Sequence, residues 1–255
     1  MRIADFRMLG LELLDSRAIA VAIDDAGRVQ KRASVNAAPD LSAAANAALD
    51  QVRQGPADSI GIASATPDAP AIAAAVVAVA RRFPGVAPAA TASGIAAAVG
   101  EAWLGAARGF KDVVFFAIAE HATGGIVRDG SPIDGGHRRA ASVAWLALNP
   151  VEREDYRKTG CLEAEVAAAG IVRRLIWRIK SGDQSSVQQA AGGNLSAITV
   201  DHILAAARSG DGVSISIVRD TAFRPSLGPN NTTFRMVDLL FFAFKGQAAL
   251  LNPNH

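Results

Sequence analysis

The residues best suited to chemistry in this chain lie in the stretch 121–136, HATGGIVRDGSPIDGG. It contains a glycine pair, Gly124 and Gly125, followed by a short apolar segment and an Asp-Gly turn. Glycines let a backbone approach a phosphate group without a clash from Cβ. The pattern therefore predicts a phosphate-facing hairpin. His121 is a candidate acid or base, although a single histidine in a loop is more often solvated or hydrogen-bonded.

The strands and helices that position this stretch are predicted to alternate along the chain. Apolar patterns predict two strands within 17–34, strands at 58–64 and 112–119, and a hairpin at 124–133. Helical patterns predict helices at 39–55, 68–82, 93–109, 161–180 and 200–211, with Asp40 and Ser93 as N-caps. This alternation predicts the α/β class. The order of elements starts again near residue 110, which predicts an N-terminal α/β lobe at 1–107 and a C-terminal α/β lobe at 108–255.

Composition excludes several classes of protein. Half of the 255 residues are hydrophobic, many of them alanine, which predicts a large core of closely packed helices. A net charge of +2 is weak evidence for a nucleic-acid partner. The single cysteine, Cys161, excludes an internal disulfide and a multi-cysteine metal site. The N-terminal residues lack the pattern of a signal peptide, and the apolar run 71–80 is too short to span a bilayer, so we expect a cytoplasmic protein without a membrane partner.

Three segments, AAAVGEAWLGAARG (96–109), GGIVRDGSPIDGG (124–136) and GCLEAEVAAAG (160–170), resemble the ROK family of repressors, open reading frames and sugar kinases. The resemblance runs from about residue 8 to about residue 211. It implies a two-lobed actin-like ATPase fold, of the ribonuclease H-like kind, with a sugar site in the cleft. It also implies ATP-dependent phosphorylation of a sugar with Mg-ATP, and a homodimer. Fold alone does not establish function, so each functional position of the family must be compared with the residue that this chain has there.

The position of the family's catalytic base is occupied by Ser93. The family has Asn-Asp at the start of the helix that contains AAAVGEAW, and the aspartate takes a proton from the sugar hydroxyl. Eight residues before Glu101 stands Ser93. A serine hydroxyl is not a general base near neutral pH, and loss of such a base costs about 10²–10⁴-fold in rate. The sequence therefore predicts no catalytic residue at this position.

The family's first phosphate loop, Gly-x-Asp-x-Gly-Gly-Thr, corresponds here to GLELLDS. Glu12 replaces the aspartate, Leu14 and Asp15 replace the two glycines, and Ser16 replaces the threonine. A leucine side chain blocks the approach to phosphate, and a carboxylate repels it. We interpret this segment as a hairpin turn that does not bind phosphate. The resemblance leaves Glu12 as a nucleotide-facing position.

The second phosphate loop retains only part of the family's glycines. The family has Gly-Thr-Gly-x-Gly-Gly-Gly, and this chain has AEHATGG, with Glu120 where a threonine would meet phosphate. Gly124 and Gly125 are the retained pair, and the resemblance makes them the candidate nucleotide-binding residues. A glycine pair is also common in tight turns.

The family's sugar site is altered as well. In the family's Ala-Gly-Glu-x-Gly-His segment the glutamate holds sugar hydroxyls, whereas AASVAW places Ser142 at that position and Trp145 at the histidine. Glu163 is the sugar-contacting position that this chain retains. An alternative role for Glu163 is that of a first-turn acid, which suits the positive end of a helix. Ser142, Trp145 and Glu163 are thus the candidate substrate-binding residues.

Zinc is not expected. The family supplies Cys-x-Cys-Gly-x-x-Gly-Cys, and this chain has EDYRKTGC, with Glu154 and Tyr156 at cysteine positions and Cys161 alone retained. A structural zinc site needs about four ligands. We therefore expect no metal and no cofactor, with Mg-ATP required only if the chain is a kinase.

Two further segments allow alternative interpretations. RRLIWRIK (173–180) could be a basic patch for nucleic acid, but its spacing favours an amphipathic helix with a solvated basic side. VDLLFFAF (237–244) could be an exposed apolar surface or a buried strand. After residue 221 the family's strand ending in Gly-Gly is missing, which predicts an incomplete or divergent C-terminal part. No helix-turn-helix precedes the ROK-like part, so a repressor is not expected.

Two functional hypotheses follow. The first is a ROK sugar-kinase homologue that has lost phosphotransfer and binds a sugar weakly, or a protein partner. The alternative is an active ATP-dependent kinase of hexoses or N-acetylhexosamines, in which Glu12, His121 and Glu163 would carry an atypical site.

Overall fold

The computed structural model describes residues 8–136, 139–147 and 153–223. The first half contains a mixed sheet whose strands are ordered β3-β2-β1-β4-β5. β1 pairs antiparallel with β2 and parallel with β4, so β1 is the central strand. The strands are β1 (Met8–Leu13), β2 (Arg17–Ile23), β3 (Val29–Asn36), β4 (Ser59–Ser64) and β5 (Ala89–Ala92).

Two alanine-rich helices, α1 (Leu41–Val52) and α2 (Pro70–Arg82), pack against each other. α1 packs against the sheet, and apolar side chains of both helices join those of the strands in one core. Asp40 is the N-cap of α1, as predicted, because its carboxylate accepts the Ser42 N–H at 2.8 Å. The buried face of α1 consists of residues spaced three or four apart, which is the pattern of an amphipathic helix. These buried residues are Ala44, Ala45, Ala48, Leu49 and Val52.

The helix predicted at 93–109 is shorter than expected. α3 (Ser93–Trp103) ends where the carboxylate of Glu101 accepts the Ala106 N–H at 3.0 Å. A Cβ on Gly105 would lie 2.0 Å from that carboxylate, so the glycine makes this turn possible. The side chain of Glu101 thus ends the helix two turns before Gly109.

A second sheet has the order β6-β7-β8, formed by β6 (Val113–Ile118), β7 (Ala122–Arg128) and β8 (Ser131–Pro132). Strands β7 and β8 form the predicted hairpin. Its two turn residues, Asp129 and Gly130, have φ of 51° and 78°. Positive φ at both positions is what a type I′ hairpin turn requires.

The helix predicted at 161–180 is two helices, α5 (Cys161–Val166) and α6 (Ala168–Lys180), separated by Ala167 in an extended conformation. The Ala168 N–H bonds to the carbonyl of Ala119 at 3.1 Å instead of continuing the helix. The absence of a Cβ at Gly170 lets α6 fold closely onto α5, because a Cβ there would lie 2.2 Å from the Ala164 carbonyl oxygen. Tertiary contacts therefore override the helical pattern.

The remaining described helices are α4 (Glu154–Thr159), before α5, and α7 (Ser186–Ala190), α8 (Val200–Arg208) and α9 (Gly212–Phe223), after α6. Apolar side chains of α6 to α9 form one core, centred on Leu175, Val187 and Ile203. By their contacts, the described residues up to Phe115 and Gly124–Ala141 form one compact unit, and Phe116–Thr123 with the described residues from Ser142 onward form another. The lobe assignment 1–107 and 108–255 stays a prediction.

The α/β prediction is confirmed. The apolar run 237–244 and the predicted incomplete C-terminal part lie outside the described residues. Within the described residues no helix is long and apolar enough to cross a membrane.

Candidate functional site

Ser93 is the first residue of α3, and its predicted role as N-cap is wrong. β5 runs directly into the helix, so Ala92 takes the cap position with φ −68° and ψ 137° and provides no side-chain hydrogen bond. The hydroxyl oxygen of Ser93 is buried and has no hydrogen-bond partner in the part of the chain that the structure describes. This position supplies neither a base nor a cap.

Gly124 and Gly125 lie on β7, and both are buried. Their backbone faces the start of α3, in the same compact unit. A Cβ on Gly125 would lie 1.9 Å from the Gly94 carbonyl oxygen, and a Cβ on Gly94 would lie 1.9 Å from the Gly124 carbonyl oxygen. The glycine pair therefore serves a contact between strand and helix backbones.

Glu12 lies half-buried on the central strand β1, opposite Ile19 of β2 and Ala63 of β4. The loop after it closes tightly, because the Leu14 N–H donates to the Arg17 carbonyl at 3.0 Å. The predicted hairpin turn between β1 and β2 is present. Its inability to bind phosphate stays a prediction.

His121 and Glu163 form a half-buried pair in the second unit. His121 Nδ1 lies 3.0 Å from Glu163 Oε1, and the Ala122 N–H donates to Glu163 Oε2 at 3.0 Å. The two side chains are 16% and 15% exposed. When His121 carries its proton on Nδ1, it donates to the carboxylate. Glu163 thus joins α5 to the turn between β6 and β7, a role that its position in the first helical turn did not predict.

Ser142 and Trp145 belong to a short 3-10 turn, Val143–Trp145, with Ser142 immediately before it. This turn lies against Gly160, at the start of α5. A Cβ on Gly160 would lie 2.2 Å from the Ala144 carbonyl oxygen and 3.0 Å from the Trp145 nitrogen. Gly160 has φ 90°, which favours glycine. Trp145 is 56% exposed, so its ring is available to solvent.

The structure therefore brings the predicted residues other than Glu12 together in two groups. Ser93 lies beside Gly94, which contacts Gly124 and Gly125, in the first unit. In the second unit α5 holds Glu163, and the turn that ends at Trp145 packs against the same helix. The assignments of these residues to nucleotide or substrate stay predictions.

Sequence reasoning missed Glu165, a carboxylate that is 1% exposed. Arg153 Nη1 lies 3.3 Å from its Oε1, Arg174 Nη1 lies 3.4 Å from its Oε2, and the Tyr156 hydroxyl donates to Oε1. The sequence pattern predicts one continuous helix at 161–180 and gives no role to Glu165. Its arginine partners lie nine or more residues away along the chain, so nothing local in the sequence indicates that Glu165 is buried.

The three arginines of 173–180 have acidic partners within the protein. Arg173 pairs with Asp155, Arg174 with Glu165, and Arg178 with Asp183. Ile171 and Leu175 lie on the buried side of α6, which confirms the amphipathic helix. Among the described residues, no group of three or more His, Cys, Asp or Glu side chains could hold a metal ion.

Asp211 is the carboxylate with the largest resolved change in acidity. Burial alone would raise its pKa, but hydrogen bonds from the N–H groups of Ser214 and Ser186, and from the hydroxyl of Ser185, lower the pKa of Asp211 to about 2. Both N–H bonds are 2.8 Å long. Asp211 thereby accepts hydrogen bonds from backbone N–H groups in the first turns of both α7 and α9, which have no partner within their helices.

The curated proteins that this chain resembles include two glucokinases. Over 156 residues the chain is 29% identical to a glucokinase from Thermotoga maritima, a match that covers 61% of this chain and 44% of the glucokinase. The chain spans less than half of the length of the curated relatives that it matches. The chain is thus a homologue of sugar kinases.

Solved structures share the fold. A ROK family glucokinase from Streptomyces griseus, in complex with glucose and AMPPNP, matches with a TM-score of 0.68 and 22% identity, covering 86% of this chain and 76% of that one. A ROK family transcriptional regulator, a homologue of the E. coli MLC protein, matches with a TM-score of 0.66 and 17% identity, covering 88% and 61%. These matches confirm the actin-like α/β fold of the ROK sugar kinases.

The model of the ROK family matches residues 89–229, more than half of the chain. This range contains the start of α3, the glycine pair of β7 and the helix that carries Glu163. The resemblance seen in the sequence is therefore confirmed, and the chain belongs to the ROK family.

Proposed function

We propose that this chain is a ROK sugar-kinase homologue that has lost phosphotransfer and retains a sugar-binding surface in its second unit. The observation that carries the proposal is Ser93. Its hydroxyl stands at the position of the family's base, buried and without a hydrogen-bond partner among the described residues. Without a base, the proton of an attacking sugar hydroxyl has no acceptor there.

The residues present suit Mg-ATP poorly. In the first unit, the backbone of Gly94 on α3 occupies the space beside the backbone of Gly124 and Gly125. This contact leaves no room for a methyl group. The turn after β1 presents Asp15 to solvent, and its carboxylate would repel a triphosphate. These observations support the loss of nucleotide binding.

The sugar surface is better supported. Glu163 accepts one hydrogen bond at each carboxylate oxygen, and each oxygen has a second lone pair for a sugar hydroxyl. Trp145 offers an exposed aromatic face, which suits the apolar face of a pyranose ring. Ser142, exposed beside it, adds a hydroxyl that both donates and accepts. Homologues of this chain act on sugars, since one solved relative is a glucokinase in complex with glucose.

The experiment is thermal unfolding of the purified chain with hexoses, N-acetylhexosamines and their phosphates, each with and without Mg-ATP. A ligand at one hundred times its Kd stabilises the folded state by about 2.7 kcal/mol. For a chain of this length, that raises Tm by roughly 5–10 °C. The proposal expects a saturable rise with one sugar and no rise with Mg-ATP.

Two results would contradict the proposal. Sugar-dependent ADP formation at about 1–10³ per second would establish the alternative, an active ATP-dependent sugar kinase. The absence of any shift across the sugar panel would remove the sugar-binding part and leave a protein partner as the remaining function. The homodimer implied by the resemblance and the cytoplasmic location expected from the sequence stay predictions.

A further inference from the structure

The second unit contains a buried carboxylate that the proposed sugar surface does not use. Glu165 lies on α5, two residues after Glu163, and is 1% exposed. A buried carboxylate is stable only when it is paired and hydrogen-bonded. Glu165 meets this condition through Arg153 and Arg174, at 3.3 and 3.4 Å, and through the hydroxyl of Tyr156.

These partners come from different elements. Tyr156 lies on α4 and Arg153 is its N-terminal flanking residue, whereas Arg174 lies on α6. Arg174 also contacts the hydroxyl of Thr221 on α9 and, at 2.5 Å, the carbonyl of Glu165 itself. Glu165 is therefore the point at which α4, α6 and, through Arg174, α9 are joined to α5.

α5 cannot orient itself. It has six residues, between Gly160 at φ 90° and the extended Ala167, and isolated helices shorter than about 12 residues are marginal in water. Its direction must come from tertiary contacts. Residues two apart on a helix point about 200° apart, so Glu165 faces α4 and α6 while Glu163 faces the turn between β6 and β7.

We infer that Glu165 is a positioning residue: its buried ion pairs fix the rotation of α5, and this rotation holds Glu163 against His121 and the Ala122 N–H. Loss of the ion pairs of Glu165 allows α5 to rotate about its own axis. Glu163 then loses the two contacts of 3.0 Å that join it to His121 Nδ1 and Ala122 N. The consequence for sugar affinity rests on the proposed function, whereas the consequence for Ala122 does not.

The test is Glu165→Gln, which keeps the shape of the side chain and removes its charge. Hydrogen exchange of the Ala122 amide reports the bond to Glu163 without any ligand. We expect this amide to exchange at least about 10-fold faster in the variant, relative to the Ile203 amide in the core of α6 to α9, which reports general destabilisation. The matched control is Glu154→Gln, an exposed glutamate paired with Lys158, which should change both amides less than about 2-fold.

A second variant keeps the test decisive if Glu165→Gln does not fold. Tyr156→Phe retains the buried ring and removes only the hydroxyl that bonds Glu165, and it should give a smaller change in the same direction. An unchanged ratio of Ala122 to Ile203 exchange in the folded variants would overturn the inference. Sugar affinity is measured separately. Wild-type protein that binds no sugar would refute the proposed function, and the exchange ratio would still decide the role of Glu165.

Discussion

A methyl group on Gly94 would lie 1.9 Å from the carbonyl oxygen of Gly124, so α3 and β7 meet backbone to backbone. The contact is reciprocal, since a Cβ on Gly125 would lie 1.9 Å from the Gly94 carbonyl oxygen. In a phosphate loop, glycines leave space for a ligand. Here the same residue type leaves space for a neighbouring helix, and this explains why the glycine pair is present without the rest of the loop.

Gly125→Ala tests this relationship. The added methyl group must displace either α3 or β7, because neither backbone can move aside locally, and we expect a loss of about 2–3 kcal/mol in the free energy of unfolding. Urea denaturation measures it. Gly100→Ala, on the same helix α3 and with no atom within 4 Å of the added Cβ, is the matched control and should be neutral or stabilising by about 0.5–1 kcal/mol. Equal effects of the two changes would contradict the close contact.

The lowered pKa of Asp211 predicts that the stability of the fold depends on pH. Its folded pKa is lowered to about 2 from the ordinary 3.8, so its stabilising contribution is complete above about pH 4 and is lost as the pH falls from 4 towards 2. Asp211→Asn should cost roughly 1–2 kcal/mol at pH 7, because the carboxylate caps α7 and α9, and this cost should shrink towards zero near pH 2.

The measurement is urea denaturation of wild type and Asp211→Asn at pH 7, 4 and 2.5. Asp220→Asn is the control, because this aspartate is on α9, is more than half exposed and lies 3.9 Å from Arg219. It should change stability by less than about 0.5 kcal/mol at every pH. A cost for Asp211→Asn that stays constant over the whole range would refute the assigned role.

The proposed sugar surface predicts that a bound sugar contacts Trp145. Trp145→Ala should weaken sugar binding roughly 10-fold, since the loss of an aromatic stacking surface costs about 1.4 kcal/mol. Trp177→Ala is the control, because Trp177 on α6 is 66% exposed and lies outside the proposed surface. Titration calorimetry with the sugar found by thermal unfolding compares the three proteins. Equal weakening by both changes would show that the sugar binds elsewhere.

Much of the fold was predictable because it depends on local patterns. Apolar patterns located β2, β3 and β4, and Asp40 marked the start of α1. The Asp129-Gly130 pair predicted the hairpin, since both positions need positive φ. These signals arise within a few residues, where periodicity and turn chemistry dominate.

The errors come from individual hydrogen bonds that the periodicity of the sequence does not encode. The break at Ala167 depends on a hydrogen bond from Ala168 to Ala119, about fifty positions away, and the early end of α3 depends on a side chain that folds back on its own helix. The candidate site shows the same limit. The family pattern located Glu163, but only the fold reveals that His121 holds it and that Glu165 lies buried behind it.

Ser93→Asp is the change that would restore the family's base, and the structure predicts that it fails. The Ser93 hydroxyl is buried with no hydrogen-bond partner among the described residues, so a carboxylate there would be desolvated without compensation. We expect a loss of about 1–3 kcal/mol in the free energy of unfolding and no sugar-dependent ADP formation. Ser93→Ala removes the unsatisfied hydroxyl and should change stability by less than about 1 kcal/mol. A stable Ser93→Asp protein that phosphorylates a sugar would show that a nucleotide still binds despite the glycine contact and the altered turn after β1. Loss of the base would then be the sole cause of the lost activity.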